Sequence, residues 1–347
     1  MTSRKRWVVA SWLVFGLALT PARAQNARPL AVYWVDVEGG AATLIVTPAG
    51  ESVLVDAGNP GGRDPGRIAK TAKDAAHLTR IDFVVVTHLH NDHFGGVAEL
   101  ASMVPLGTLY ENGIDNAPAT ERAQATVPAF RTAAVSRRVV ARPGDSIPLR
   151  QAPGAAPVAL KIIGARQSFA PPLSRNANSS ICSGAVKKPV DDSDNANSIS
   201  MVLTHGSFRM FLGGDTTWNV EERLVCPEDR VGRVDVYQSV HHGLDLSNNP
   251  VLIRTLQPHV VIFNNGARKG NEPNAAATVA ATPSVEAVYQ LHRSVREGAR
   301  NVADDRIANR EEACTGEGIT MTVAPDGKSY EVSVPSTGHR KTYKSKV

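Results

Sequence analysis

Cysteine is scarce in this chain. Its 347 residues include three, Cys182, Cys226 and Cys314, and none has the close spacing of a cysteine metal motif. In an oxidising compartment two of the three can pair and one is left over; the sequence does not say which. Aromatic residues are also few, at 5%, and form no ladder on which single-stranded nucleic acid would stack. After the first two dozen residues no run is long and apolar enough to cross a membrane. An excess of one charge is missing too. The formal net charge is +5, but Arg4, Lys5, Arg6 and Arg23 all lie in the first 24 positions. Without those four of the 38 Lys+Arg, 34 remain against 33 Asp+Glu. That balance implies no clustered basic face for a nucleic acid.

The same N-terminal stretch has its own logic. Arg4, Lys5 and Arg6 precede an apolar run from Trp7 to Leu19, and Ala22-Arg23-Ala24 follows. This is the order of a secretory signal peptide cut after Ala24, and the run falls short of the ~20 residues of a membrane span. The expected organisation is a leader over 1–24 and a single domain over 25–347. The mature protein is expected to be periplasmic or secreted, with no membrane attachment.

What the chain does have is a concentration of histidine. Three of its ten histidines fall in Val84–Gly96, VVVTHLHNDHFGG. The β-branched run Val84-Val85-Val86-Thr87 reads as a buried parallel strand. It ends in His88, His90, Asp92 and His93, where α/β folds place their sites. In extended chain His88 and His90 point to one side and can grip one ion. Asp92 and His93 follow as the chain turns into a helix and can reach a second. Imidazole with carboxylate suits zinc and similar divalent metals.

H-x-H-x-D-H after a hydrophobic strand resembles the signature of the metallo-β-lactamase fold superfamily, and the resemblance extends over roughly Ala31 to Ile262. It implies an α/β (α+β four-layer) αββα sandwich. The opening D-V-x-x-G…P-x-G…L-V-D-A-G resembles more narrowly the hydrolase domain of bacterial DNA-uptake channels. The first turn is altered, reading Asp36-Val37-Glu38-Gly39-Gly40-Ala41. Asp56 then stands as a carboxylate that orients a ligand histidine. Further on, a strand runs into Gly213-Gly214-Asp215 and another into His241-His242-Gly243. By resemblance, Asp215 bridges two metals, His242 binds the second with Asp92 and His93, and His241 faces the substrate. The superfamily's usual third histidine on the first metal is missing, as it is in the DNA-uptake subgroup. His205 lies in a hairpin turn, the wrong place, which leaves Asp194, Asn195, Asn197 or water.

The remaining chain reads as follows. Strands are expected at Ala31–Val37, Thr43–Val46, Val53–Val55, Gly107–Tyr110, Val139–Ala141, Ile147–Leu149, Val158–Ile163, Ile199–Thr204, Phe208–Leu212, Val234–Val240 and Val260–Phe263. A final hairpin, Ile319–Val323 with Tyr330–Val334, turns around Asp326-Gly327. Helices are expected at Ile68–Leu78, Gly96–Met103, Thr216–Leu224, Asn249–Leu256 and Ser284–Arg296, with a helical insertion over Ala117–Val135. Asn59–Arg67 reads as loop, Asn264–Asn274 as loop, Pro171–Asn195 as either a lid or disorder, and Arg340–Lys346 as a solvated tail.

The function implied is hydrolysis by a metal-bound hydroxide, with Asp92 passing a proton to the leaving group. The cofactors are two divalent ions, zinc first and Mn2+ or Fe2+ as alternatives. The substrate class, a small molecule or phosphodiester with an ester, phosphodiester, lactone or lactam bond, stays open, as does oligomeric state. Two other classes remain: an iron-dependent oxygenase of this fold, and a non-catalytic metal-binding module.

Overall fold

The computed structural model describes Thr2, residues 27–173 and residues 178–347; the expected leader otherwise lies outside the described residues. Alternating apolar positions build two sheets, each of nine strands among those residues. The first runs in the order His339–Lys344, Ser329–Val334, Ile319–Val323, Leu30–Trp34, Thr43–Val46, Ser52–Val55, Ile81–Val86, Leu106–Glu111, Val135–Val140. It is antiparallel until Ser52–Val55, then parallel through Ile81–Val86 to its edge. The second runs Ile307–Asn309, Ala287–His292, Val260–Phe263, Val236–Gln238, Phe208–Leu212, Ser200–His205, Val158–Ala165, Ser146–Ile147, with Ser168–Phe169 beside Val158–Ala165. Here the five strands from Phe208–Leu212 outward are parallel.

The pleat sends alternate residues to opposite faces. Val85 joins Trp34, Ile45 and Val55 against Leu160, Met201, Met210, Leu212 and Ile262 between the sheets. Val84 and Val86 face outward onto Ile68, Phe94, Val97 and Leu100 of the covering helices. On the other side Phe211, Tyr237 and Val261 meet Leu224, Leu252, Leu256 and Val279. The result is helix, sheet, sheet, helix: the expected four-layer αββα sandwich.

Four local expectations are corrected. Asn59–Arg67 is not all loop, because a helix spans Arg63–Lys70. Pro65 sits in its first turn, where a missing N–H is harmless, and the Asp64 carboxylate accepts the Asn59 amide at 2.7 Å. Ser284–Arg296 contains the strand Ala287–His292 rather than a helix. Its slot between two parallel strands overrides the local pattern, with Tyr289 and Leu291 reaching the inner core. The tail is a strand too: His339–Lys344 pairs with Ser329–Val334, and Tyr343 stacks on Tyr330 at 5.3 Å. The loop Asn264–Asn274 ends in a helix, Pro273–Ala280.

Cys182 and Cys226 form a disulfide, leaving Cys314 free. That bond fastens the described part of 171–195 to the helix Trp218–Val225. Trp218 Nε1 donates to the Val186 carbonyl at 2.6 Å, Asn219 Nδ2 to that of Lys188 at 2.7 Å, and Lys187 pairs with Glu222 at 2.7 Å.

Candidate metal centre

Three strand ends deliver the site. Ile81–Val86 leads to His88 and His90, and the turn Asn91–Phe94 carries Asp92 and His93. Across the interface Phe208–Leu212 leads to Asp215, and its parallel neighbour Val236–Gln238 leads to His241 and His242. Asp92, His93, Asp215 and His242 bring one ligand atom each within 4.8 Å of one another. Asp215 Oδ2 is the hub, at 3.1 Å from His93 Nε2, 3.4 Å from the Nε2 atoms of both His241 and His242, and 3.9 Å from His88 Nε2. Asp92 Oδ2 lies 3.3 Å from His242 Nε2 and 3.5 Å from His93 Nε2. His88 Nε2 approaches His90 Nδ1 at 3.1 Å.

The outer hydrogen bonds decide which nitrogens face inward. Asp56 accepts from Thr87 N at 2.8 Å and from Thr87 Oγ1 at 2.9 Å. Having donated its proton, the Thr87 hydroxyl accepts from His88 Nδ1 at 3.1 Å. Asp56 Oδ2 also accepts from His93 Nδ1 at 2.8 Å. Ser247 repeats the pattern, donating to the Thr216 carbonyl at 2.7 Å and accepting from His241 Nδ1 at 3.2 Å. Glu121 stands 3.5 Å from His90 Nε2, leaving Nδ1 to face His88. With the outer nitrogens as donors, Nε2 of His88 and of His241 turn to Asp215, and Nδ1 of His90 turns to His88. A ring nitrogen is fixed as acceptor by the bond its partner makes. Electron-rich atoms gathered this closely are held together by positive charge.

The electrostatic environment agrees. Burial opposes ionisation of Asp92 and Asp215, but the surrounding imidazoles outweigh it and hold both carboxyls well below the usual range. Burial would also lower His93, yet the carboxylates of Asp215, Asp56 and Asp92 hold it well above an ordinary imidazole. Burial, reinforced by His93, pushes His88 well down, and burial lowers His241 to about 4. The three carboxylates therefore favour positive charge at His93, which a proton or a metal ion would supply. Histidine and carboxylate donors of this number and spacing fit divalent ions.

His241 and His242 both adopt left-handed backbone, at φ 54° and 55°. That is uncommon for residues with a Cβ and costs on the order of 1–3 kcal/mol each. The neighbours enforce it: Asn248 Nδ2 donates to the carbonyls of Val240 and Leu244, both at 2.9 Å, and the Asn271 amide to that of His242 at 3.0 Å. Gly270 lies so close that a Cβ there would sit 2.1 Å from the His242 carbonyl oxygen. At the altered first turn, a Cβ on Gly40 would meet the Asp92 carbonyl oxygen at 2.6 Å.

The structure thus gathers His88, His90, Asp92, His93, Asp215, His241 and His242. It places His241 otherwise than expected: 5% exposed and turned onto Asp215 by Ser247, it does not face outward toward a substrate. Of the candidates for the missing histidine, Asp194 spends its oxygens on Leu89 N at 2.7 Å, Asn112 Nδ2 at 3.0 Å and Asn197 Nδ2 at 3.0 Å. Asn195 makes no hydrogen bond to the cluster among the described residues, and its Oδ1 is buried without a partner. Sequence reasoning missed Glu121, Ser247 and Lys269, whose Nζ bonds Asp92 Oδ2. None lies in a motif; only the nearness of Ser247 to the H-H-G stretch was a signal. A second group, Asp36, His292 and Cys314, has its charge met otherwise. Arg67 Nη1 lies 2.9 Å from Asp36 Oδ2 and His292 Nε2 lies 2.7 Å from Oδ1, which anchors the first turn.

The Metallo-beta-lactamase superfamily matches residues 35–157, the segment from the first strand's end past His93. The match takes in Asp56 and the His88–His93 motif and ends before Asp215, His241 and His242. Thioesterase pkgB of Emericella nidulans is 30% identical over 108 residues, 31% of this chain and 30% of its own length. The chain therefore spans less than a third of that curated relative. Zn(2+)-bound PqqB from Methylobacterium extorquens has a TM-score of 0.42 at 11% identity, covering 75% of this chain and 97% of that one. CmlA, a diiron beta-hydroxylase from Streptomyces venezuelae, scores 0.35 at 15% identity, covering 69% and 45%.

Proposed function

We propose that the chain is a metal-dependent hydrolase of the metallo-β-lactamase superfamily, similar to the DNA-uptake subgroup, with two divalent ions at this centre. One observation carries the reading: imidazoles from two separate strand ends turn their nitrogens onto Asp215, which a third strand end delivers. His88, His90 and His241 would hold one ion, with His241 in the place of the missing histidine. Asp92, His93 and His242 would hold the other, and Asp215 is shared. Zinc is the first choice for both. When bound, such ions bring water close to deprotonation at neutral pH and stabilise developing oxyanion charge.

The chain's own groups do the rest. Asp56 with Thr87, and Ser247, keep three imidazoles in one tautomer and orientation. Asp92, with its side chain 20% exposed beside fully buried His88, His93 and His242, is the carboxylate placed to pass a proton to a leaving group. The bond cleaved is an ester, thioester, phosphodiester, lactone or lactam. Thioesters are included because the matched relative is described as a thioesterase. A periplasmic or secreted location for residues 25–347 as one domain is part of the proposal, supported by the disulfide. The test is elemental analysis of purified protein with a panel of bis-p-nitrophenyl phosphate, thioesters, lactones and nitrocefin. Absence of metal, or hydrolysis unaffected by Asp215→Ala, would overturn it. Iron in place of zinc would move the reading to an oxygenase.

A further inference from the structure

Lys269 is not among the residues that hold the centre together, yet its position is built. It sits on a tight turn closed by the Gly266 amide donating to the Lys269 carbonyl at 2.9 Å. The next residue, Gly270, lies against the His242 backbone. On the other side its stem meets the first turn, where a Cβ on Gly39 would come within 2.9 Å of Lys269 Cβ. Held from both sides, the ammonium reaches Asp92 Oδ2. The cluster is closed on its inner side, since His88, His93 and His242 are fully buried. Its solvent-facing members are Asp92, His90 and Lys269, with side chains 20%, 27% and 39% exposed. A substrate must arrive past these three.

Nearby cations are already neutralised. Arg63 pairs with Glu38 and Asp64, and Arg67 with Asp36 and Glu38. The ion-pair partner of Lys269 among the described residues is Asp92, a carboxylate that the proposed function commits to a metal. Once that carboxylate is shared with a cation, the ammonium is free to take an anion at the mouth. We propose, resting on that reading, that Lys269 is the specificity-determining residue of the site, selecting substrates that carry an anionic oxygen beside the bond to be cleaved. Carboxylate and phosphate share that chemistry, and Lys serves either as a compact point charge.

The experiment uses full-length protein reconstituted with zinc, as wild type, Lys269→Met and Lys269→Arg, with metal content measured in each. Inorganic phosphate and acetate are titrated calorimetrically, which needs no turnover and separates the two anion sources. Lys269→Met should weaken at least one anion roughly tenfold, the scale of a charged hydrogen bond, and Lys269→Arg should restore it. With bis-p-nitrophenyl phosphate against p-nitrophenyl acetate, the loss should fall on KM for the anionic ester rather than on kcat. Unchanged anion affinity, or equal losses for charged and neutral esters, would overturn the proposal. So would loss of metal from Lys269→Met, because Lys269 would then serve to place Asp92. If wild type binds zinc and phosphate but hydrolyses nothing on the panel, the hydrolase reading fails while the anion contact stands.

Discussion

Asp56→Asn is the substitution that probes the centre with least disturbance of the fold. Asp56 has φ 61°, a conformation that asparagine tolerates better than other L-residues, so the backbone is spared. The carboxylate takes three donors at 2.8, 2.9 and 2.8 Å: Thr87 N, Thr87 Oγ1 and His93 Nδ1. An amide has one acceptor oxygen. If it serves Thr87 N, the NH2 faces His93 Nδ1 and drives the imidazole proton to Nε2, where the metal belongs. If it serves His93, the NH2 faces the buried Thr87 N–H. Either way a charge-assisted bond worth about 1.5–3 kcal/mol is lost, which corresponds to roughly ten- to hundredfold in metal affinity. A chelator competition on the purified variant measures this directly. Wild-type affinity in Asp56→Asn would refute the argument that outer hydrogen bonds set the tautomers. Loss of folding by circular dichroism would show instead that the bonds serve stability first.

Three further outcomes are expected. Ser247→Ala removes the acceptor for His241 Nδ1 and should weaken one of two bound zinc ions about tenfold, read by titration with a zinc chelator; equal weakening of both would count against His241 as ligand to one ion. Zinc uptake at pH 7 should release protons and strengthen with pH, because His93, held well above its ordinary value, must surrender its Nε2 proton; calorimetry in buffers of different ionisation enthalpy would expose a zero release. Glu221, fully buried and accepting the Asn248 and Asn249 amides at 2.9 and 2.8 Å, is pushed by burial from 4.5 up to about 8. Its folded value lies above its unfolded one, so its stabilising contribution is complete below pH 4.5 and lost as pH rises through about 8. Glu221→Gln should therefore show a smaller fall in Tm between pH 5 and 9 than wild type, and parallel curves would refute this.

Much of the site was legible because its signals are local. A β-branched run ending in H-x-H-x-D-H states both a strand and its cargo, and G-G-D and H-H-G after other strands mark where that cargo has partners. Ligand type and strand alternation depend only on residues adjacent in sequence, so all seven clustered side chains could be named from the chain, His241 in a different role, while the sandwich was implied by the family resemblance those motifs carry. What failed were segments whose fate depends on neighbours far away. Ala287–His292 is a strand because a parallel slot waits for it, and His339–Lys344 because an edge does. Pro65 reads as a loop residue yet opens a helix.

Within the site, the sequence determined which donors exist and the tertiary structure decided how each one points. Ser247 and Thr87 have no motif that couples them to imidazoles, and the motif around Asp56 does not say which histidine it orients. Only the pairing of neighbouring parallel strands brings Asp56 to His93, and only the loop after Val236–Gln238 brings Ser247 to His241; a hydrogen bond to one ring nitrogen then fixes what the other can do. His241 shows the difference most plainly: its presence was evident beside His242, but two left-handed residues and one serine turned it from the substrate side onto Asp215.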